Sequence, residues 1–170
     1  HQETGRNIYL GGIFLERQLA PTQRLTQTAY PRRMEYRIVA RRTSIRSLLG
    51  GMLLQSELAT GRAPDEATTV FASDILSHVK GSLYACDTIE ILWSRTNETI
   101  ASLNGLELSR VSGGEIAQYL LSGWVGEQGP STSFRESITA AELEPSLLTT
   151  FEQSIYSPER AAQVMAVLVE

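Results

Sequence analysis

Between Thr99 and Arg110 the sequence alternates, breaks once and alternates again. Thr99, Ala101 and Leu103 interleave with Ile100 and Ser102, Asn104-Gly105 supplies two residues that accept φ > 0, and Leu106, Leu108 and Arg110 resume the pattern. This is a β-hairpin, so antiparallel pairing is built into the middle of the chain. Ser112 with Gly113-Gly114 ends it. Ile116, Leu120, Leu121 and Trp124 then recur at helical spacing until Gly126 stops the helix. After a Gly-Pro loop, Ser131 or Ser133 can cap a last turn carrying Phe134 and Ile138. Thr99 to Ile138 reads as one supersecondary unit, and nothing in it is a catalytic signature.

The flanking segments extend the same architecture. Asn7 to Leu15 (NIYLGGIFL) is rich in β-branched and aromatic residues and reads as a strand. Its Gly11-Gly12 signals a bulge, a bend around a neighbour, or a close approach that leaves room for something. Ala20 to Pro31 has no convincing period and reads as a connection with room for a short helix. Arg33 to Arg41 alternates, with Met34, Tyr36, Ile38 and Ala40 on one face and Glu35, Arg37 and Arg41 on the other, predicting a half-buried strand.

Thr43 or Ser44 caps a helix with an apolar face of Ile45, Leu48, Leu49, Met52, Leu53 and Leu58, closed by Gly61. Gly50-Gly51 weakens it by roughly 1 kcal/mol per glycine, so close packing against another element is the expected compensation. A second helix starts at Ala63-Pro64-Asp65-Glu66, points Val70, Phe71, Ile75, Leu76 and Val79 inward, and forms a hairpin with the first. Asp87 to Arg95 is a further alternating strand. Beyond Ile138, Leu143 to Ile155 predicts one amphipathic helix, and Ser157-Pro158-Glu159 caps another carrying Ala161, Val164, Met165 and Leu168. The order predicts an α+β fold, a large, mostly antiparallel sheet with helices on one face, as a single domain over 1–170 with a helical C-terminal extension from about 140.

The 42% hydrophobic content over 170 residues suits one real core. A net charge of -4 argues against a nucleic-acid partner. No apolar run is long enough to span a membrane. With one cysteine, Cys86, and His78 as the sole internal histidine, no internal disulfide and no metal or cofactor site is implied. Asp74 and His78, one helical turn apart, can form an oriented general base, and the competing reading is an exposed i,i+4 pair. Arginines at 32, 33, 37, 41, 42 and 46 can build an anion site or be solvated ends of a strand and helix. Asn97-Glu98-Thr99 matches a glycosylation acceptor and is equally turn chemistry.

In this order the pieces resemble the chalcone isomerase-like family, especially its bacterial branch. NIYLGGIFLE resembles the family's first long strand, RMEYRIVARRTSIRSLL its strand leading into a helix, and LLSGWVGEQGPSTSFRESI its helix, glycine, polar loop and closing turn. The resemblance implies an open-faced sandwich, a large sheet layered against helices, with a cleft for a small hydrophobic ligand between them. Plant members close a chalcone to a flavanone with an arginine, a strand threonine, a helix tyrosine and asparagine, and a late hydroxyl. Here those places fall near Tyr9 for the threonine, Ile45 or Arg46 for the tyrosine, Met52 or Leu53 for the asparagine, and Ser122 or Gly123 for the hydroxyl. The arginine should precede the first strand, where only His1 to Gly5 stand, so it is replaced or lies upstream.

With that polar set largely gone, the resemblance implies a non-catalytic domain that keeps the pocket. Other non-catalytic members bind fatty acids through an arginine and a tyrosine, and Tyr9 with Arg46 is the pair nominated here. Two alternatives stand beside it: an intramolecular lyase with Tyr9 and Arg46 polarising an unknown substrate, and an interaction module whose C-terminal helices dock another chain or a second copy. By the same resemblance a periplasmic or secreted location is expected, and a start at His1 is compatible with removal of a signal segment.

Overall fold

Alternation along Arg32–Ile38 and the Asn104-Gly105 turn place the two halves of one antiparallel sheet. The structure is a computed structural model that describes residues 2–3, 6–16, 25, 32–113, 115–127, 129–140 and 144–168. A short pair, β1 (Gln2–Glu3) and β2 (Arg6–Asn7), precedes β3 (Tyr9–Leu15) and β4 (Arg32–Ile38). There follow β5 (Arg42–Ser44), α1 (Ile45–Thr60), α2 (Glu66–His78), β6 (Ser82–Tyr84) and β7 (Thr88–Trp93). The chain continues through β8 (Glu98–Leu103), β9 (Leu106–Ser112), α3 (Ile116–Val125), α4 (Thr132–Thr139), α5 (Pro145–Gln153) and α6 (Pro158–Leu168). Five strands pair antiparallel in the order β3-β4-β7-β8-β9, while β5 and β6 form a separate ribbon. The fold is α+β, as expected. The connection at Ala20 to Pro31 lies outside the described residues except for Leu25.

The hairpin turn closes as its sequence requires, with φ of 50° at Asn104 and 82° at Gly105. Asn104 does more than turn. Buried, it accepts from the Thr88 N–H at 2.8 Å and donates from Nδ2 to Asp87 Oδ1 at 2.8 Å. A register shift between Ala101 and Ser102 inserts one residue of β9, so Leu108 and Ser109 are both buried.

Partners directly opposite in an antiparallel pair share a face. Rungs Gly11/Tyr36/Ile89/Leu103 and Ile13/Met34/Ile91/Ala101 make the apolar face. Rung Gly12/Glu35/Glu90/Ser102 lies on the opposite, polar face. Helices α1, α2 and α3 bury Leu49, Met52, Phe71, Ile75, Leu120 and Leu121 with the apolar rungs in one core. α1 and α3 approach closely: a Cβ on Gly123 would stand 2.6 Å from Ser56 Oγ, and one on Gly126 2.7 Å from the Ala59 Cβ. Gly126 is extended (φ −69°, ψ 162°), so its smallness serves this crossing and not a left-handed cap. Gly61 (φ 67°) is the left-handed cap of α1, and Ser44 caps its start.

Several expectations are corrected. A Cβ on Gly50 or Gly51 meets nothing within 4 Å, so no close packing compensates for these glycines. Leu58 and Val70 are exposed, because α1 turns its buried arc to α3 and α2 lies on β9, where Ser109 Oγ donates to Asp74 Oδ2 at 2.9 Å. The helices are not confined to one face. Phe151 of α5 sits on the polar side, against Gly12 and Phe14, and its carbonyl accepts from Arg37. Beneath it Glu35, 2% exposed, is held by Arg33 at 2.7 Å and Arg37 at 3.0 Å, so β4 is buried on both faces. The helix predicted from Leu143 to Ile155 is Pro145–Gln153, and Ile155 beyond it is exposed.

α6 is anchored by charge as well as by the buried Val164. Arg160 clamps the fully buried Asp87 bidentately, Nε to Oδ1 and Nη2 to Oδ2, both at 2.7 Å. Asp87 also accepts from the Tyr84 N–H at 2.8 Å, and the Arg160 guanidinium lies 5.0 Å from the Tyr84 ring centroid. Burial alone pushes the Asp87 carboxyl up, but the hydrogen bonds from Arg160, Asn104 and Tyr84, with the Arg160 charge, hold it below the ordinary carboxylate value.

Candidate functional site

Two residues apart on β3, Tyr9 and Gly11 share the apolar face, and Tyr36 stands opposite Gly11 on β4. α3 lowers Trp124 onto them, and α4 adds Phe134. Ring centroids lie 4.9 Å apart for Tyr9 and Tyr36, 4.5 Å for Tyr36 and Trp124, 5.3 Å for Trp124 and Phe134, and 5.9 Å for Tyr9 and Phe134. A Cβ on Gly11 would stand 2.7 Å from Phe134 Cζ and 2.9 Å from Trp124 Cη2. The Gly-Gly stretch is therefore neither a bulge nor a vacancy. It is where α3 and α4 lay aromatic rings on one face of the strand, at Gly11, and α5 lays one on the other, at Gly12.

Tyr9, Tyr36 and Trp124 are at most 2% exposed. Burial pushes both tyrosine hydroxyls upward, Tyr36 further still because Tyr9 is near, so both stay protonated and able to donate. The Trp124 indole N–H counters part of that rise without reaching hydrogen-bond geometry with the Tyr36 hydroxyl. Among the described residues neither Tyr36 Oη nor Trp124 Nε1 has a hydrogen-bond partner. Each such buried orphan costs about 1–3 kcal/mol. Two donors inside an aromatic nest are suited to one ligand chemistry, a carbonyl or carboxylate oxygen on an otherwise apolar molecule.

The cover over this nest is α4, which buries none of its residues fully. Ser131 caps it, accepting from the Phe134 N–H at 3.1 Å, and Arg135 donates to the Glu127 carbonyl at 2.8 Å. Phe134 and Ile138 are its partly buried contacts with the core.

The residues singled out from the sequence are distributed as follows. Tyr9 is in the nest, whereas Arg46 is exposed on the first turn of α1 and shares no hydrogen bond or ion pair with it. Ile45 and Met52, two of the places where the resemblance put polar helpers, are buried apolar side chains. Ser122 Oγ is spent on the Gln118 carbonyl at 2.7 Å. His78 Nδ1 meets the backbone oxygen of Asp74 at 2.9 Å, while the Asp74 carboxylate takes the Ser109 hydroxyl, so no acid-base dyad forms. Cys86 is half-buried at a φ of 73°, and Asn97 is a turn residue with a φ of 59°. The arginines disperse: Arg32 lies over Trp93, Arg33 and Arg37 hold Glu35, and Arg42 donates to Ser82 Oγ at 2.8 Å.

A recess of about 190 Å³ is lined by Arg62, Ala63, Asp65, Thr68, Glu115 and Tyr119, and Arg62 pairs with Glu115 across it at 3.1 Å. It is small for a lipid-sized ligand, which needs roughly 300 Å³ or more. Among the described residues no His, Cys, Asp or Glu group could hold a metal ion, and no helix is long and apolar enough to cross a membrane.

Sequence reasoning placed Tyr36 and Trp124 on core faces without seeing them as donors. The available signal was a tyrosine and a tryptophan, each with a polar tip, on stripes otherwise filled by aliphatic residues.

No family model matches the chain, and no curated protein matches it in sequence. Among solved structures, a fatty-acid binding protein from Arabidopsis thaliana is similar, with a TM-score of 0.54 and 15% identity over 76% of this chain and 75% of that one. That protein has the chalcone isomerase-like fold, and the likeness shows the same fold here.

Proposed function

We propose that this chain is a non-catalytic domain of the chalcone isomerase-like fold that binds a small hydrophobic ligand bearing a carboxylate or carbonyl, with a fatty acid as the foremost case. The observation that carries the reading is the pair of buried donors, Tyr36 Oη and Trp124 Nε1, without acceptors in an aromatic nest beside Tyr9. The fatty-acid binding of the structurally similar plant protein supports it. So does the apolar filling at Ile45 and Met52, which leaves a developing oxyanion few helpers and favours binding over catalysis. On the resemblance of its sequence strings to the bacterial branch we propose a place there, and with it a periplasmic or secreted location.

Magnitudes favour a ligand that enters by moving Phe134. Lifting that ring off Tyr9 and Trp124 forfeits two edge contacts, about 0.5–1.5 kcal/mol each. An acceptor delivered to the two orphan donors recovers about 1–3 kcal/mol apiece, before any burial of an acyl chain. The reading uses Tyr9 of the nominated pair and does not call on Arg46, which is exposed on α1.

The test is native mass spectrometry of the purified protein, followed by calorimetric titration of the delipidated protein with fatty acids of graded length. Expected are a retained or rebound lipid at micromolar affinity and a gain in affinity with chain length. No retained lipid together with no binding at micromolar levels would sink the proposal.

A further inference from the structure

The mid-helix glycines of α1 have no explanation inside one copy of the chain. Helical spacing sorts α1 into two arcs. Ile45, Leu48, Leu49, Met52 and Ser56 face the core. Arg46, Ser47, Gly50, Leu54, Glu57 and Leu58 share the other side, within an arc of about 120°, and all six are exposed. Leu54 and Leu58 are 56% and 57% exposed, the largest values among the exposed apolar side chains except Ile155. The surface is therefore an apolar ridge, Leu54 and Leu58, beside a flat step at Gly50, where an added Cβ would meet nothing.

Its charges are arranged about a centre. Arg46 and Glu57 lie on the same flank, equidistant from the midpoint between Gly51 and Met52, and neither belongs to an ion pair among the described residues. Rotating α1 by half a turn about an axis through that midpoint, antiparallel to itself, brings each Arg46 beside Glu57 of the second copy. The same operation brings Leu54 of each copy to within one residue's rise, about 1.5 Å, of the level of the other's Gly50 step, and Leu58 to within about 3 Å of the level of Ser47. A surface that matches itself in shape and in sign under one two-fold rotation has the form of an isologous contact.

We infer that α1 is the seat of a homodimer, two copies packing their α1 helices antiparallel with Gly50 as the point of close approach and two Arg46–Glu57 pairs at the ends. The occupant is a second copy, since an unrelated partner would not need the charges placed symmetrically about the helix centre. The inference is independent of the ligand site, whose rings Tyr9, Tyr36, Trp124 and Phe134 all lie on elements other than α1.

Sedimentation velocity of the full chain tests it with Arg46→Glu and Glu57→Arg, separately and mixed. The wild type is expected to dimerise, and each single reversal, which faces like charges across both ends, should weaken the dimer roughly tenfold. An equimolar mixture of the two variants should restore it, because the heterodimer again pairs opposite charges at both ends, and restoration also shows that both variants are folded. Leu54→Lys should give a folded monomer whose thermal melt no longer depends on protein concentration, as that of the dimer does. A wild type that stays monomeric up to roughly 1 mM, the weak end of specific association, overturns the inference. So does a dimer indifferent to these variants, which would assign the contact to another face such as the C-terminal helices, and so do folded single variants whose mixture fails to recover.

Discussion

At Tyr36 the ring and its hydroxyl have opposite effects. The ring packs tilted on Tyr9 and edge-on against Trp124, contacts that hold β3, β4 and α3 together, while among the described residues the hydroxyl is buried without a partner. Tyr36→Phe keeps the first and removes the second. It should therefore raise stability by about 1 kcal/mol, measured by urea unfolding, and weaken fatty-acid binding about five- to tenfold, measured by calorimetry. A purely structural tyrosine would not split the two readouts in this way. The pH dependence follows from the same burial: the folded hydroxyl is held protonated beyond the range where an unfolded tyrosine, near pH 10, ionises. Stability is thus present below about pH 10 and lost as pH rises above it, and Tyr36→Phe should make that alkaline loss shallower.

Helices α1 and α3 show that a glycine in a helix has no single meaning. On α3, a side chain at Gly123 would strike the backbone nitrogen of Ser56 at 2.8 Å, so Gly123→Ala should destabilise by about 1–3 kcal/mol through forced separation of the helices. On α1, Gly51 faces open space, so Gly51→Ala should stabilise by about 1 kcal/mol. Thermal melts of the two variants should move in opposite directions. From sequence the two look alike, because what separates them is the neighbouring element, and that contact is made between segments far apart in the chain. Features decided locally were legible. The Asn104-Gly105 turn, the Ser44 and Ser131 caps and the stripe of α3 all follow from residues within a few positions of one another. The three-residue ribbon of β5 and β6, the extra residue at Leu108 and the seating of Phe151 on the polar face were not, since each depends on what arrives from elsewhere. The candidate site divides in the same way. Tyr9 was reachable from its strand, but the two donors meet only when β4 and α3 pack.

For the molecule as a whole, the C-terminal helices complete the protein's electrostatics. Asp87 is buried at the start of β7 and relies on Arg160 of α6 for two of its hydrogen bonds. Arg160→Ala should cost about 3 kcal/mol, most of it the penalty of leaving a buried carboxylate underpaired, and Asp87→Asn in the same chain should recover part of that loss. Because the folded carboxyl is held below its ordinary value, the clamp stabilises fully above about pH 4 and is lost as pH falls through the depressed folded value. Acid unfolding of the wild type should accordingly be steeper than that of the Arg160→Ala, Asp87→Asn double variant. The clamp also sets an order of events during synthesis. Asp87 leaves the ribosome 73 residues before the arginine that neutralises it, so a nascent chain holding the whole five-stranded sheet still has an unmatched charge at its centre. Closure of the core should therefore wait for α6, and a chain ending before Pro158 should protect its sheet amides from hydrogen exchange less than the full chain does.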